Sequence, residues 1–259
     1  MTPSFETIRA AARGKVLEVT LDRPARHNAL TARMIDELHA ALDMAEADDT
    51  LRLLVLRGEG DTFCAGMDFA EATRAPADTG ATLDPTVRGF WRLMQRFTAS
   101  PVVVAALVPG RVTAGGLGLV AAADYVIAGP DATFQLSEVI FGLLPATVAP
   151  FIVRRCGLHQ AYRLSLTAQR IDAARALAIG LADEVADDPA DRLRQFLVRV
   201  ARVDAGCVGA LKAYFQRLWI IDHATEAAAV EAITGRMRDP ATMEGIRRFV
   251  TEADPAWRR

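Results

Sequence analysis

Lysine and cysteine are both scarce in this chain. Of its 30 basic residues only Lys15 and Lys212 are lysines, which leaves few candidates for Schiff-base chemistry. The three cysteines, Cys64, Cys156 and Cys207, are widely spaced, with no CxxC pair and no neighbouring His cluster. The sequence therefore predicts reduced thiols, with neither a disulfide framework nor a metal site.

The chain also lacks a large excess of either charge and any long apolar run. A formal net charge of -2 gives no reason to expect a polyanion, so we predict no nucleic-acid partner. No apolar run approaches the roughly 20 residues of a membrane span, and residues 1–15 lack the apolar core of a signal peptide. We therefore expect no membrane association and a cytoplasmic location.

What the chain does contain is an alternation of strand-like and helix-like segments, typical of an α/β fold. Its 259 residues, 51% of them hydrophobic, suffice for one large core and a small appended unit. Asn28 or Thr31 is available to cap the first helix, and from residue 150 onward the pattern is mainly helical. We expect residues 70–84 to form a mobile loop over a pocket. The predicted strands span residues 15–21, 51–56 and 101–108, and the predicted helices span residues 30–45, 87–97 and 114–123.

Two turns of small residues are the most informative feature. Residues 63–69 read Phe-Cys-Ala-Gly-Met-Asp-Phe, and residues 112–118 read Val-Thr-Ala-Gly-Gly-Leu-Gly. Each follows an apolar strand-like run, where a small-residue backbone can approach a ligand closely and direct its N–H groups at it. We interpret them as two halves of one oxyanion site for a thioester carbonyl. The alternative is that the Gly-rich turn only permits tight helix packing.

Two carboxylates are candidates for proton transfer. Glu138 is flanked by apolar residues, and desolvation there would raise its pKa, which suits a group that exchanges a proton at neutral pH. Asp68 directly follows the first small-residue turn. The alternative for both is structural: Ser137 caps a helix whose first turn accommodates Glu138, and Asp68 caps the next helix.

Taken together, these segments resemble the crotonase, or enoyl-CoA hydratase/isomerase, superfamily over essentially the whole chain. The resemblance is carried by residues 21–30, with Leu-Asp-Arg-Pro and Asn-Ala-Leu, by residues 63–69, by residues 114–124 and by residues 134–145. It implies a crotonase-like spiral of ββα units over residues 1–200. It also implies a helical C-terminal trimerisation region over residues 201–259, in a homotrimer or hexamer.

The resemblance also implies a set of site residues. The backbone N–H groups of Ala65 and Gly115 match the family's oxyanion hole, which stabilises a thioester enolate. Substrate-binding residues would be Ala65, Gly66, Met67, Asp68 and Gly115. The acyl group would be carried on CoA or on the phosphopantetheine of an acyl carrier protein, with no separate cofactor and no metal.

Departures from the family pattern narrow the reaction. Hydratases of this family carry two catalytic glutamates; Glu138 matches the second, whereas Gly118 occupies the position of the first. The family's water-binding segment has Gly after Pro, but residues 145–150 here read Pro-Ala-Thr-Val-Ala-Pro. Ordinary hydration in β-oxidation is therefore disfavoured.

One branch of the superfamily fits the altered pattern. Residues 113–118, 137–146, 150–157 and 243–257 are similar to the dehydratase of polyketide β-branching cassettes. That resemblance implies dehydration of 3-hydroxy-3-methylglutaryl-acyl carrier protein to the 3-methylglutaconyl thioester. Glu138 would remove the C2 proton, and Asp68 is the candidate to assist departure of the hydroxyl group; the alternative is that Glu138 alone takes the proton and returns it to the leaving group. The alternatives are a Δ3,Δ2-enoyl thioester isomerase, which needs one glutamate, and a non-catalytic carrier-docking protein.

Other residues have weaker functional interpretations. Arg88, Arg92 and Arg111 are candidates to bind a distal carboxylate, against the alternative of ordinary surface or packing arginines. Lys212 matches a position where the family often has a lysine near the CoA phosphates, against the alternative of a solvated helix face. Cys64 is expected to be a small core residue, because no paired base is evident.

Overall fold

A computed structural model describes residues 4–72, 79–219 and 222–252. The strands in these ranges are β1 Ile8–Arg13, β2 Val16–Leu21, β3 Leu53–Gly58, β4 Thr62–Cys64, β5 Val103–Val108, β6 Arg111–Thr113, β7 Tyr125–Ala128, β8 Thr133–Gln135, β9 Ile171–Asp172 and β10 Glu184–Val185. The α-helices are α1 Ala32–Ala47, α2 Phe69–Ala72, α3 Thr79–Ala99, α4 Gly115–Ala122, α5 Ala149–Thr167, α6 Ala173–Ala178, α7 Pro189–Val200, α8 Ala205–Gln216, α9 His223–Met237 and α10 Pro240–Glu252. Pro24–Arg26 and Glu138–Phe141 form 3-10 helices.

The strands form two sheets, and the strands from β3 to β8 alternate between them. The larger sheet has the order β1-β2-β3-β5-β7-β10, and the smaller has the order β4-β6-β8-β9. Successive pairs β3 and β4, β5 and β6, and β7 and β8 each place one strand in each sheet before the chain enters a helix. This repetition is the spiral of ββα units, and it confirms the predicted α/β crotonase-like fold.

The predicted elements of the first half are confirmed, with small changes at their ends. β2, β3 and β5 match the predicted strands, and α1 and α4 match the predicted helices, each to within about two residues. β3 is buried along residues 53–56, because it lies between two parallel neighbours with layers on both faces. Thr31 is the N-cap of α1, since its Oγ1 accepts a hydrogen bond of 3.1 Å from the Met34 amide.

The predicted loop over residues 70–84 is wrong where the structure describes it. The segment contains the end of α2 and the first turns of α3, and residues 73–78 lie outside the described ranges. Pro85 lies inside α3. An interior proline removes one amide from the hydrogen-bond ladder and crowds the carbonyl group one turn before it, yet α3 continues on both sides of Pro85.

The C-terminal helices pack back onto the spiral. Helix α9 contacts α3, and α8 is attached through Lys212, whose Nζ lies 2.5 Å from Asp124 Oδ2 and 2.9 Å from the Val102 carbonyl oxygen. Burial lowers the pKa of Lys212, and Asp124 opposes that shift. Lys212 is therefore neither on a solvated face nor free for a phosphate; it joins α8 to the core.

None of the helices within the described residues combines the length and the apolar character that crossing a bilayer requires. The cytoplasmic location stays a prediction.

Candidate active site

The two small-residue turns meet, as the sequence predicts. Gly66 has a φ of +87°, and a Cβ at this position would lie 2.7 Å from the Ala114 Cβ and 3.1 Å from the Gly115 nitrogen. The left-handed backbone and the close approach both require glycine. Both turns continue from strands of the smaller sheet, β4 and β6, which pair in parallel. The sheet thus sets the turns side by side.

Within the first turn, the Met67 amide has no hydrogen-bond partner among the described residues, whereas the Ala65 amide has one. The Ala65 N–H donates a hydrogen bond of 3.1 Å to the His27 carbonyl oxygen, so the expectation that it stabilises an oxyanion conflicts with this structure. Leu30 donates to the Gly66 carbonyl oxygen and accepts from the Asp68 amide, at 2.7 and 2.9 Å. In this parallel bridge the N–H of the intervening residue, Met67, points away from Leu30.

The second turn presents the Gly115 amide. Gly115 is the first residue of α4, and amides in the first turn of a helix have no partner within the helix. Its N-cap residue, Ala114, has φ 49° and ψ -125° and makes no side-chain cap. A non-glycine residue in this conformation is strained, and such strain persists where the surrounding structure imposes it. Here the strained residue sets the direction of the Gly115 N–H.

Two polar side chains hold the first turn in place. Asn28 is buried, has a φ of 53°, and donates from Nδ2 to the Glu59 and Thr62 carbonyl oxygens at 2.9 and 2.6 Å. It is therefore a brace for the loop rather than a helix cap. Arg23 donates from Nη2 to Asp68 Oδ2 at 2.9 Å. The structure thus places Asp68 in an ion pair beside the turn, and Asp68 does not line the apolar cavity that lies against the two turns.

A narrow apolar cavity lies against the two turns. Among the described residues, Glu138 and Thr147 are the lining residues with polar side chains. Helix α9 closes one side of it, so the C-terminal region contributes to the cavity as well as to the surface. The lining consists of Met67, Phe69, Val87, Phe90, Ala114, Gly115, Glu138, Leu143, Thr147, Ile233 and Met237.

Glu138 is the buried acid of this cavity. Its residue is 7% exposed, and its Oε2 atom is fully occluded without a hydrogen-bond partner in the described part of the chain. Burial raises the pKa of Glu138 to about 7, against smaller opposing effects of backbone amides. Ser137 forms no side-chain cap, and the following helix is a four-residue 3-10 turn. The structural explanation of Glu138 as a capped first-turn acid therefore fails.

Position 118, where the family's first glutamate would lie, is enclosed by apolar side chains. A Cβ on Gly118 would lie 2.6 Å from Met94 Sδ, 2.6 Å from Val148 Cγ1 and 3.3 Å from Phe90 Cζ. The two departures from the family pattern, Gly118 and the segment after Pro145, are therefore linked by packing. Val148 of that segment occupies the space beside Gly118. The space of the first acid is filled.

The three candidate arginines lie away from the cavity lining. Arg88 is paired with Asp84 at 3.0 Å, Arg92 lies 3.7 Å from Glu226, and Arg111 donates to the Thr62 hydroxyl at 3.4 Å. None of the residues known to line the cavity in the described ranges carries a positive charge.

Cys64 is a core residue, as expected. It is fully buried, and burial raises the pKa of its thiol to about 12, so the reactive thiolate is not formed at neutral pH. Within the described ranges no three His, Cys, Asp or Glu side chains are grouped to hold a metal ion. That the reaction needs no metal or separate cofactor stays a prediction.

Comparison with known proteins agrees with this architecture. The sequence profile of the family described as enoyl-CoA hydratase/isomerase matches residues 11–259. The chain belongs to this family. It is 31% identical to the bacillaene synthase dehydratase PksH of Bacillus subtilis over 257 residues, 98% of this chain and 97% of the relative. The crystal structure of Bacillus subtilis PksH superposes with a TM-score of 0.87 at 30% identity, covering 97% of this chain and 99% of that one.

Family members with other substrates are also similar. The 2,3-dehydroadipyl-CoA hydratase of Escherichia coli is 32% identical over 188 residues, 72% of this chain and 71% of the relative. Because the relatives are named as dehydratases and hydratases, this family member is a hydro-lyase.

The sequence did not predict two features of the site: the hydrogen bond of the Ala65 amide within the loop, and the hydrogen bonds by which Asn28 and Arg23 hold that loop in place.

Proposed function

We propose that this enzyme dehydrates a 3-hydroxyacyl thioester, with Glu138 as its one acid–base residue. The observation that carries the proposal is the buried carboxylate of Glu138 on the same apolar cavity as Met67 and Gly115. An acid with a pKa of about 7 is present in both protonation states at neutral pH, so it can accept and return a proton.

The proposed mechanism begins at the thioester carbonyl. The amides of Met67 and Gly115 bind its oxygen and stabilise the enolate, and removal of one such donor in other enzymes costs about 2.7–4 kcal/mol of transition-state stabilisation. Glu138 takes the C2 proton. The C3–O bond then breaks, and the departing oxygen receives that proton from Glu138, which gives an enoyl thioester and water. A single acid thus serves both steps on one face of the substrate.

For the substrate we propose 3-hydroxy-3-methylglutaryl-acyl carrier protein, dehydrated to the 3-methylglutaconyl thioester in polyketide β-branching. Its support is the likeness to PksH along the whole chain and the filled position at Gly118, which leaves no room for the family's first glutamate. The apolar lining means that the distal carboxylate must find its cation beyond the described cavity. Arg88, next in sequence to the lining residue Val87, is then the first candidate.

Asp68 takes a positioning role in this proposal. Arg23 pairs with Asp68 and also donates to the Ala29 carbonyl oxygen at 2.5 Å, so it joins the residue after Met67 to the segment that pairs with Met67 through Leu30. Asp68 therefore acts on the reaction through the oxyanion turn rather than by transferring a proton.

An isomerase is the second candidate function. A Δ3,Δ2-enoyl thioester isomerase moves one proton between C2 and C4, and the enclosed Gly118 position leaves one acid that is sufficient for that reaction. The two reactions differ in mass balance, because dehydration loses one water and isomerisation conserves mass.

We further propose a homotrimer or hexamer, built through the apolar helix faces that this single chain leaves exposed. Such residues recur at helical spacing, and large exposed apolar patches mark interaction surfaces. On α5 they are Leu158, Tyr162 and Leu166, and on α8 they are Leu211, Tyr214 and Phe215. Light scattering at micromolar protein should give three or six times the chain mass of 28.0 kDa; a monomer at that concentration would refute the assignment.

The reaction is tested by intact-mass spectrometry of the acyl carrier protein. 3-Hydroxy-3-methylglutaryl-carrier protein is incubated with wild type, with Glu138→Gln, and with Glu231→Gln, which makes the same change at an exposed position of α9. The CoA thioester and an uncharged 3-hydroxy-3-methylbutyryl thioester are run beside it. Loss of one water that requires Glu138 and not Glu231 supports the dehydratase.

The substrate panel separates the finer claims. Preference for the glutaryl group on the carrier supports the polyketide assignment, and preference for the uncharged acyl group refutes it while preserving the reaction type. Unchanged mass for every substrate, with isomerisation of a 3-enoyl thioester, would establish the second candidate. Binding of the carrier protein without any turnover would support a non-catalytic docking protein.

A further inference from the structure

Thr147 is the second polar side chain on the cavity that contains Glu138. The residue is 6% exposed and belongs to the segment between Pro145 and Val148, directly beside the side chain that fills the Gly118 position. The remaining described lining offers backbone and apolar side chains. A substrate hydroxyl group in this cavity therefore has few side-chain partners.

The hydroxyl of Thr147 is available for a ligand. It forms no hydrogen bond with any residue in the described ranges. The fully occluded unpartnered atoms in those ranges are Trp91 Nε1, Glu138 Oε2, Arg155 Nε, Glu184 Oε2 and Glu226 Oε1. The Thr147 oxygen is not one of them, so it keeps accessible surface. Thr147 is buried and lines the cavity, and we infer that this accessible surface faces it.

Elimination of water needs a group that stabilises the departing oxygen, and the enclosed position at Gly118 has no side chain to supply one. The C3–O bond breaks with its electron pair on oxygen, and negative charge grows there before the proton arrives. Position 118 has no room for a carboxyl group, and Glu138 is occupied with the C2 proton. A neutral donor beside the departing oxygen lowers the energy of that charge.

We propose that the Thr147 hydroxyl donates a hydrogen bond to the C3 oxygen of the substrate as it leaves. The inference rests on the proposed dehydration and adds a residue to it. Thr147 keeps its own proton throughout: the C2 proton passes to Glu138 and from there to the departing oxygen, and the products are the enoyl thioester and water. Thr147 therefore serves the C–O step and not the removal of the C2 proton.

The test separates those two steps. Thr147→Val keeps the shape and loses the hydroxyl, and Thr147→Ser keeps the hydroxyl and loses the methyl. Dehydration of the 3-hydroxyacyl thioester is measured by mass, and exchange of the C2 hydrogen is measured in D2O on a butyryl thioester, which has no leaving hydroxyl. Circular dichroism checks that each variant is folded.

We expect Thr147→Val to lower kcat for dehydration on the order of 100-fold while C2 exchange stays near wild type. Thr147→Ser should restore most of the dehydration, and Glu138→Gln should lose both activities. Full dehydration by Thr147→Val would overturn the inference and leave the proposed function standing. Equal loss of dehydration and exchange, unrelieved by Ser, would overturn it in favour of a packing role. Absence of dehydration by wild type would overturn both.

Discussion

Replacement of Glu138 by Gln tests whether the buried acid carries a raised proton affinity, independently of any substrate. The substitution keeps the size of the side chain and removes its titration. At acidic pH the wild-type side chain is neutral in the folded state and should behave like the amide. Above neutral pH the folded protein must hold an unpaired buried carboxylate, which costs stability.

The magnitude follows from the two pKa values. The usual pKa of a glutamate side chain is 4.5, and the pKa of Glu138 in the folded state is about 7, so the two pKa values differ by about 2.5. At 1.36 kcal/mol per unit, this is about 3 kcal/mol. Because the folded pKa is the higher one, the contribution to stability is complete below pH 4.5 and is lost as the pH rises through 7. Wild type should therefore lose about 3 kcal/mol relative to Glu138→Gln between pH 4.5 and pH 8.

Urea unfolding at pH 5, 6, 7 and 8 measures this difference, with the same protein concentration throughout because association contributes to stability. Titration of all other groups is shared by the two proteins and cancels in the difference. Glu231→Gln supplies the control and should track wild type at every pH. A difference between wild type and Glu138→Gln that stays constant from pH 5 to 8 would refute the raised pKa, and with it the proposed proton exchange at neutral pH.

Three further predictions concern packing and strain. Lys212→Met should lower the free energy of unfolding by about 2 kcal/mol, because Asp124 loses its nearest cation. The control Lys15→Met, at an exposed position, should stay within about 0.5 kcal/mol of wild type. Equal urea midpoints for the two variants would contradict the role of the buried pair of Lys212 and Asp124. Ala114→Gly should raise stability by about 1 kcal/mol by relieving the strained backbone, and a lower thermal midpoint would argue against strain. Gly118→Ala should lower the free energy of unfolding by about 1–3 kcal/mol through overpacking. Gly118→Glu should not hydrate a crotonyl thioester, as measured by the loss of the ultraviolet absorbance of that substrate. New hydratase activity would show that the side chains around position 118 can move to make room for a carboxyl group.

Sequence reasoning recovered what depends on local pattern. Apolar runs and helical spacing predicted the strands and helices of the spiral, and the two glycine turns predicted that residues far apart in sequence would meet. The assignment of the Ala65 amide was wrong in this structure because an amide's partner depends on a distant carbonyl, here that of His27, which no local pattern encodes. The burial of Lys212 escaped prediction for the same reason: its partners lie on α3, just before β5 and after α4.

The loop predicted over residues 70–84 failed differently. Weak periodicity and Pro85 favoured a loop, yet α3 includes both Pro85 and Thr79. Tertiary packing of a long helix outweighs one missing amide hydrogen bond, and that balance is set by the whole fold rather than by the segment.

The position of α9 has a consequence for synthesis of the chain. Glu138, Met67 and Gly115 are all made well before Ile233 and Met237, which complete the wall of the cavity. Until α9 has formed, that side of the cavity lacks its wall, and we expect Glu138 to be less shielded from water. A chain that ends before residue 223 would thus carry every proposed catalytic group without the dry surroundings that make the acid competent. A helix that is synthesised after the proposed catalytic residues thus completes the cavity around them.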